Sequence, residues 1–296
     1  MRYSTLVTGV TGRHGSTGYI VARSLLDRGF PVRVLFRHND DRVTELVNLG
    51  AEAIQADYHD IQSLKPALQD IEQAYFCYPV NTGILEATAN FCTIGRETGL
   101  RFIVNNSMAA SHPLSPSHLG RCQWLSEQIF SWAGFECVNL RGALFYENLL
   151  LLHQHSIKKE DEFRSSFGQS QMTWVSSEDM AAVAAKILQS KDIDWDSHIF
   201  VTSDETFSYE EIAEGLSTIL KRKISYRFVN IDEWRTELRV LPGVNNAMIE
   251  HLIELRVLLS SKPPMPKSNA VLNITGRKPR SLSDVIATHR NAFEIA

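Results

Sequence analysis

The residues with the clearest chemical meaning lie near the start of the chain, where Gly9, Gly12 and Gly15 follow an apolar run at intervals of three. Glycines at this spacing let the backbone turn against a pyrophosphate and let the next helix pack closely on the strand. The first N–H groups of that helix attract phosphates. The pattern therefore predicts a nucleotide-binding loop. Its expected cofactor contacts are Thr8, Gly9, Thr11, Gly12, Arg13, His14 and Gly15.

A second chemical signal is the basic residue that follows the second predicted strand, 31–36. An acidic residue at this place would bond an unphosphorylated ribose and repel a 2′-phosphate. Arg37 stands here instead, and Arg13 and His38 could lie near it. A guanidinium can bind a phosphate through two hydrogen bonds. This favours NADP(H) as the cofactor. The alternative is that Arg37 is an ordinary solvated surface charge.

Strand-like and helix-like segments alternate through the first half of the chain, which is typical of a parallel sheet with helices on both faces. After the second strand these segments are 51–55, 64–68, 74–78, 84–97, 102–104, 122–133 and 135–140. We therefore predict an α/β, Rossmann-type doubly wound parallel sheet. In such a sheet, ligands bind outside the carboxyl ends of the strands.

The pattern changes after residue 142, where we expect a smaller C-terminal substrate lobe to begin. Residues 1–142 would form the NADP(H)-binding domain, and residues 143–296 would form mainly the substrate lobe. A strand or a helix from residues 143–296 could also pack with the main domain. Within it, Ser208 and Glu211 have the spacing of a helix capping box, which predicts a helix over 208–220.

The composition argues against several other classes of protein. The net charge of the 296 residues is −4 and the basic residues are scattered, so we expect no direct nucleic-acid partner. The chain has neither an apolar run of membrane length nor a signal-peptide pattern, which predicts a cytoplasmic protein without a membrane partner. The four cysteines form no Cys-x-x-Cys pair, so neither a metal site nor a disulfide framework is predicted.

Together these segments resemble the NmrA-like branch of the atypical short-chain dehydrogenase/reductase family. The likeness runs nearly end to end along the chain. It is carried by 7–15, Arg37, 56–60, 140–148 and 175–181. The glycine loop is shared by many families, whereas the later segments in this order are more specific.

The resemblance implies a role for several residues at strand ends. Asp57 and Tyr58 would lie beside the adenine, and Tyr78 and Pro79 would line the cofactor after the fourth strand. Ser107, after the fifth strand, would lie near the nicotinamide. From the residues alone, Asp57 could instead be a turn carboxylate, and Tyr78 could be an ordinary half-buried aromatic side chain.

Catalytic members of the family that this chain resembles use a Tyr-x-x-x-Lys pair, whose lysine helps the phenol to pass a proton to a carbonyl oxygen. No such pair occurs in this chain, and Leu119 and Gln123 stand where it is expected. Hydride transfer would then depend on position more than on a strong acid. Candidates for proton donation or substrate bonding are Tyr78, Asn105, Ser107, His118 and Tyr146. His118 could instead be a surface loop histidine.

Three functions remain open from the sequence. The first is an NADP(H)-dependent oxidoreductase that delivers hydride to a small apolar acceptor, such as a quinone, an activated alkene or an iminium ion. The second is an NADP(H)-binding redox sensor that regulates a protein partner without turnover, and the third is a cofactor-bound catalyst of a non-redox cyclisation.

An apolar, partly aromatic substrate is expected from the residues near the junction of the two lobes. The expected lining residues are Ala143, Leu144, Phe145, Met172, Trp174 and Trp234. The alternative is that these aromatic side chains only pack the junction.

Overall fold

The computed structural model describes residues 5–12, 16–190, 193–261 and 267–294. The strands in these ranges are β1 (Thr5–Val7), β2 (Val32–Phe36), β3 (Glu52–Gln55), β4 (Gln73–Phe76), β5 (Phe102–Met108), β6 (Glu136–Gly142), β7 (Leu144–Phe145), β8 (Glu162–Ser165), β9 (Met172–Val175), β10 (His198–Val201), β11 (Thr206–Phe207) and β12 (Ser225–Phe228). The helices are α1 (Thr17–Leu26), α2 (Asp41–Asn48), α3 (Ile61–Leu68), α4 (Ile84–Thr98), α5 (His118–Trp132), α6 (Asn148–Glu160), α7 (Ser177–Gln189), α8 (Tyr209–Leu220), α9 (Ile231–Arg239), α10 (Asn246–Ser261), α11 (Ala270–Thr275), α12 (Leu282–Thr288) and α13 (Arg290–Phe293).

The main sheet has seven parallel strands in the order β10-β6-β5-β4-β1-β2-β3. Helices α1, α2, α7 and α11 bury one face, and α3, α4 and α5 bury the other. Central strands such as β1 are wholly buried, as expected of a parallel sheet that is covered on both sides. The predicted Rossmann-type doubly wound fold is confirmed.

The chain leaves the main sheet after β6 and later returns to it. Strand β10 pairs in parallel with β6, and α7 packs against α1. The intervening and following segments build two small sheets, of order β11-β9-β7 and β12-β8. The division into domains at residues 142 and 143 stays a prediction. No helix in the described part of the chain has the length and hydropathy that a membrane span requires.

The helix predicted from Ser208 and Glu211 is present as α8. The Ser208 side chain accepts the N–H of Glu211, and the Glu211 side chain accepts the N–H of Ser208. Each residue thus satisfies a backbone donor that the first helical turn leaves free. This capping box fixes the start of a helix whose apolar face packs into the core of the smaller lobe.

That core contains a cluster of aromatic rings around a buried histidine. The His153 ring on α6 lies 5.0 Å from the Phe163 ring and 5.4 Å from the Tyr209 ring, measured between centroids. Its Nε2 has no hydrogen-bond partner among the described residues. Burial lowers the pKa of His153 to about 3, so the imidazole is neutral in the folded protein near pH 7.

We expect His153→Phe to reduce the acid sensitivity of the fold. In the unfolded chain His153 binds a proton below its ordinary pKa of about 6.5, whereas the folded chain resists protonation down to about pH 3. The stability that comes from the neutral ring is therefore complete above pH 6.5 and is lost as the pH falls. Between pH 7 and pH 5 the variant should lose about 2 kcal/mol less unfolding free energy than the parent, as measured by urea denaturation.

His155→Phe is the matched control, because His155 is exposed on the same helix. It should leave the pH dependence of the parent unchanged. Identical pH slopes for the parent and His153→Phe would contradict the assignment.

Candidate functional site

A cavity of about 940 Å³ opens at the carboxyl edge of the main sheet. One end is formed by the glycine loop after β1 and by the ends of β2, β3 and β4. The other end is formed by the segments after β5 and β6 and by α10. Because parallel strands all end at this edge, it is where an open sheet of this class binds its ligand.

Backbone conformation explains why the loop after β1 needs glycine. Gly9 has a φ of +72°, which L side chains rarely adopt, and a Cβ there would lie 2.8 Å from Cys77 Cβ. On α1, a Cβ at Gly18 would collide with the Thr8 carbonyl oxygen. Gly18 therefore lets the start of the helix approach the strand, a role that the sequence analysis did not give it. Gly9, Thr11 and Gly12 line the cavity.

Arg13, His14 and Gly15, which the sequence predicts as cofactor contacts, lie outside the described residues. Thr8 does not line the cavity. Its hydroxyl donates to the Tyr75 carbonyl and accepts the Cys77 N–H, which ties β1 to β4. Thr8 therefore supports the glycine loop by bonding it to the end of β4.

The glycine loop is held from its outer side by Arg42, at the start of α2. The guanidinium of Arg42 donates to the carbonyl oxygens of Thr11 and Gly12, at 2.9 and 2.7 Å, and to the Ser16 hydroxyl. Asp40 in turn holds Arg42 through two hydrogen bonds. This clamp fixes the Thr11 and Gly12 carbonyls on one side of the loop.

The basic residues predicted to select the cofactor stand at the edge of the cavity. Arg37 and His38 both line it, and Arg37 Nε donates to His38 Nε2. The Arg37 side chain is 64% exposed and lies 3.8 Å from Asp57, a distance at which an exposed ion pair contributes little. Its guanidinium is therefore accessible to a phosphate.

The four residues implied beside the adenine and cofactor, Asp57, Tyr58, Tyr78 and Pro79, all line the cavity. The Tyr58 hydroxyl donates to the Cys77 carbonyl, and the Tyr78 hydroxyl donates to the Thr82 carbonyl at 2.8 Å. Burial, and then the Asp57 carboxylate, raise the pKa of Tyr78. The Tyr78 phenol thus keeps its proton near neutral pH and directs it to the backbone.

Under the centre of the cavity lies Glu127 on α5, whose side chain is completely buried. It accepts hydrogen bonds from Ser107 and Ser111 and forms an ion pair with Arg141 through both carboxylate oxygens. His198 Nε2 approaches the same carboxylate to 3.3 Å. Ser107, Ser111 and Arg141 line the cavity, so Glu127 fixes three parts of its wall. The sequence analysis identified Ser107 but missed Glu127, since nothing local marks its distant partners.

The wall of the cavity beyond Ser107 is mainly apolar. Four of the predicted lining residues are present there: Ala143, Leu144, Phe145 and Met172. Trp174 and Trp234 do not line the cavity, because both are buried in the core of the smaller lobe. The missed part of this wall comes from α10, which contributes Met248, His251, Leu252, Leu255, Leu258 and Leu259.

Three of the residues predicted to contact the substrate lie away from the cavity. Asn105 is buried and donates to Asn139 Oδ1, and its neighbour Asn106 lines the cavity instead. His118 is exposed outside the cavity at the start of α5. Tyr146 is wholly buried, stacks on Trp174 and donates to Glu205, and burial raises its pKa.

The expected position of the missing Tyr-x-x-x-Lys pair is also visible. Gln123 lines the cavity, whereas Leu119 does not. The Gln123 amide neither gains nor loses a proton near neutral pH.

Among the described cavity residues, Asn106 Oδ1 and Ser115 Oγ have no hydrogen-bond partner. Three features of the cavity fit a phosphorylated dinucleotide with an amide-bearing ring. They are these two unpaired oxygens, the positive φ at Gly9 and the exposed guanidinium of Arg37.

The sheet order and the glycine loop at its carboxyl edge define a Rossmann-type α/β protein. The chain belongs to the NmrA-like family, whose model matches residues 2–260. The resemblance found in the sequence is therefore confirmed.

Individual relatives span nearly the whole chain. It is 25% identical over 289 residues to the NAD(P)H azoreductase of Xenophilus azovorans, covering 97% of this chain and 99% of the relative. The NADPH-dependent quinone oxidoreductase of Escherichia coli, solved with NADPH, superposes with a TM-score of 0.82 at 20% identity, covering 97% and 100%. The triphenylmethane reductase of Citrobacter sp. superposes with a TM-score of 0.81 at 19% identity, covering 98% and 99%.

We expect Glu127→Gln to destabilise the fold by about 3 kcal/mol, because it leaves Arg141 largely buried without its counter-charge. Urea denaturation at neutral pH measures the loss. Glu45→Gln is the matched control, since Glu45 pairs with Arg23 on the surface and should lose less than about 1 kcal/mol. Equal losses in the two variants would show that the buried ion pair has no special role.

Proposed function

We propose that the protein is an NADP(H)-dependent oxidoreductase that delivers hydride to a small, mainly apolar acceptor: a quinone, an activated alkene or an iminium ion. The observation that carries this proposal is one continuous cavity that joins the glycine loop to the apolar wall of α10. Its volume of about 940 Å³ lies within the range of small-molecule and cofactor sites. The relatives are named as reductases of azo compounds, quinones and triphenylmethane dyes, which agrees with this class of reaction.

The cofactor is NADP(H), and when bound it supplies the hydride. Gly9, Thr11 and Gly12 would bring the backbone close to the pyrophosphate, and Arg37 would pair with the 2′-phosphate. Tyr58 and Tyr78 form the wall on the adenine side. Near the reacting ring, Ser107 Oγ has its proton directed to Glu127, so its lone pairs are free to accept a hydrogen bond from a ligand N–H.

No strong proton donor is proposed for hydride delivery. Ser107 and Tyr78 remain the lining residues from the predicted catalytic set, but their hydroxyl protons are engaged by Glu127 and Thr82. His118 and Tyr146 lie outside the cavity, and Gln123 occupies the place of the usual lysine. Acceptors that need little protonation during hydride transfer therefore suit the site best, and orientation supplies most of the catalysis.

The direct test is to titrate the purified protein with NADPH by fluorescence and then to follow NADPH absorbance with quinones, enals and iminium dyes. Binding followed by acceptor-dependent oxidation supports the reductase. Tight binding without oxidation by any acceptor would contradict it and would favour a redox sensor or a non-redox catalyst. Absence of NADPH binding would overturn the cofactor assignment itself.

We expect Arg37→Ala to weaken NADPH binding about 10- to 100-fold and to change NADH binding less than about 3-fold, because only NADPH carries the 2′-phosphate that the guanidinium bonds. Fluorescence titration with both cofactors measures the difference. Arg28→Ala is the control, since Arg28 is an exposed arginine that bonds Ser24 outside the cavity. Equal weakening of both cofactors by Arg37→Ala would remove the basis for NADP(H) selection.

A further inference from the structure

Helix α10 presents one row of side chains to the substrate end of the cavity. Met248, Leu252, Leu255 and Leu259 recur at intervals of three and four, which places them on one face of the helix. This face is apolar except for His251, which lies in the same row and is only 7% exposed. A histidine in an apolar wall provides a polar contact where the rest of the wall provides none.

Ser117 determines which ring nitrogen of neutral His251 carries the hydrogen. His251 Nδ1 lies 2.6 Å from Ser117 Oγ, and Ser117 Oγ also accepts the Gly120 N–H at the start of α5. Ser117 is wholly buried, and among the described residues Nδ1 is the one acceptor within hydrogen-bonding distance of its hydroxyl. Because the buried Ser117 hydroxyl would otherwise have no acceptor, its O–H donates to Nδ1. The ring hydrogen of neutral His251 is then on Nε2.

The one hydrogen bond of the His251 ring to another described residue is at Nδ1, which leaves Nε2 unpaired, and His251 lines the cavity. Burial lowers the pKa of His251 to about 4, so the ring is neutral near pH 7. A neutral imidazole can still donate a strong hydrogen bond to a polarised carbonyl oxygen. It does so without placing a charge in an apolar wall.

We propose that His251 Nε2–H is the hydrogen-bond donor that binds the carbonyl oxygen of quinone and enal acceptors, and that it makes the site prefer them. The inference rests on the proposed reductase function and names its substrate class. Hydride adds to the acceptor as NADPH becomes NADP⁺, and the acceptor carries the new negative charge on its oxygen. His251 stabilises that oxygen by hydrogen bonding, and water supplies the proton that completes the hydroquinone or the reduced carbonyl product.

Two acceptors separate this role from a structural one. 1,4-Naphthoquinone develops charge on oxygen, whereas a cationic triarylmethane dye takes hydride at carbon and becomes neutral. His251→Leu removes the donor, and His251→Gln keeps an N–H group. His155→Leu, at an exposed position of α6, is the matched control for the exchange of a histidine.

We expect His251→Leu to lower kcat/KM for naphthoquinone about 100-fold, the size of effect seen when one donor to a developing oxyanion is lost. The value for the dye should change less than about 3-fold, and so should the affinity for NADPH. His251→Gln should recover part of the quinone activity. An equal loss with both acceptors, or no loss with either, would overturn the role of His251 while leaving the reductase proposal intact.

A second measurement does not depend on turnover. In protein labelled with ¹⁵N-histidine, the His251 signals at pH 7 should show hydrogen on Nε2 and a bare Nδ1. Adding naphthoquinone in the presence of NADP⁺ should shift the Nε2 signal. Hydrogen on Nδ1, or an Nε2 signal that does not respond to saturating quinone, would overturn the inference even if the wild-type protein reduced none of the acceptors.

Discussion

The geometry of the cavity depends on the buried carboxylate of Glu127. A buried charge is tolerated only when it is paired and hydrogen-bonded, and here Arg141 and two hydroxyl groups meet that requirement. These partners come from β5, from the loop that follows it, and from β6. The single carboxylate therefore determines where the two strands and α5 stand relative to each other. Ser107, Ser111 and Arg141 cannot move independently of it.

The remaining walls divide the cavity into two chemically different ends. At the glycine-loop end, Arg42 and Thr8 support the backbone, and Arg37 offers a charge at the rim. At the other end, α10 and the segment after β6 supply apolar side chains. This separation follows from the chain order, because the dinucleotide-binding loop belongs to the first βαβ unit and α10 belongs to the smaller lobe. A polar cofactor and an apolar acceptor would thus meet above β5.

Features that depend on neighbours in the sequence could be predicted, whereas features that depend on distant partners could not. The glycine spacing located the loop, the alternation of segments gave the parallel sheet, and Ser208 with Glu211 gave the start of α8. In the sequence, Glu127 looks like any other carboxylate on a helix. Its partner Arg141 looks like an ordinary arginine at the end of a strand. Tyr146 is a candidate proton donor in the sequence analysis, but the aromatic core of the smaller lobe encloses it.

The absence of the Tyr-x-x-x-Lys pair changes what the cavity can do more than whether it can bind a cofactor. The glycine loop, Arg37 and the strand ends that form the cofactor end do not involve positions 119 and 123. At those two positions the chain lacks the tyrosine and the lysine that would lower the pKa of the tyrosine hydroxyl. The lining hydroxyls that remain, on Ser107 and Tyr78, already donate to internal acceptors. In the proposed reductase, hydride transfer would therefore depend on where the acceptor is held and on which neutral donors face it.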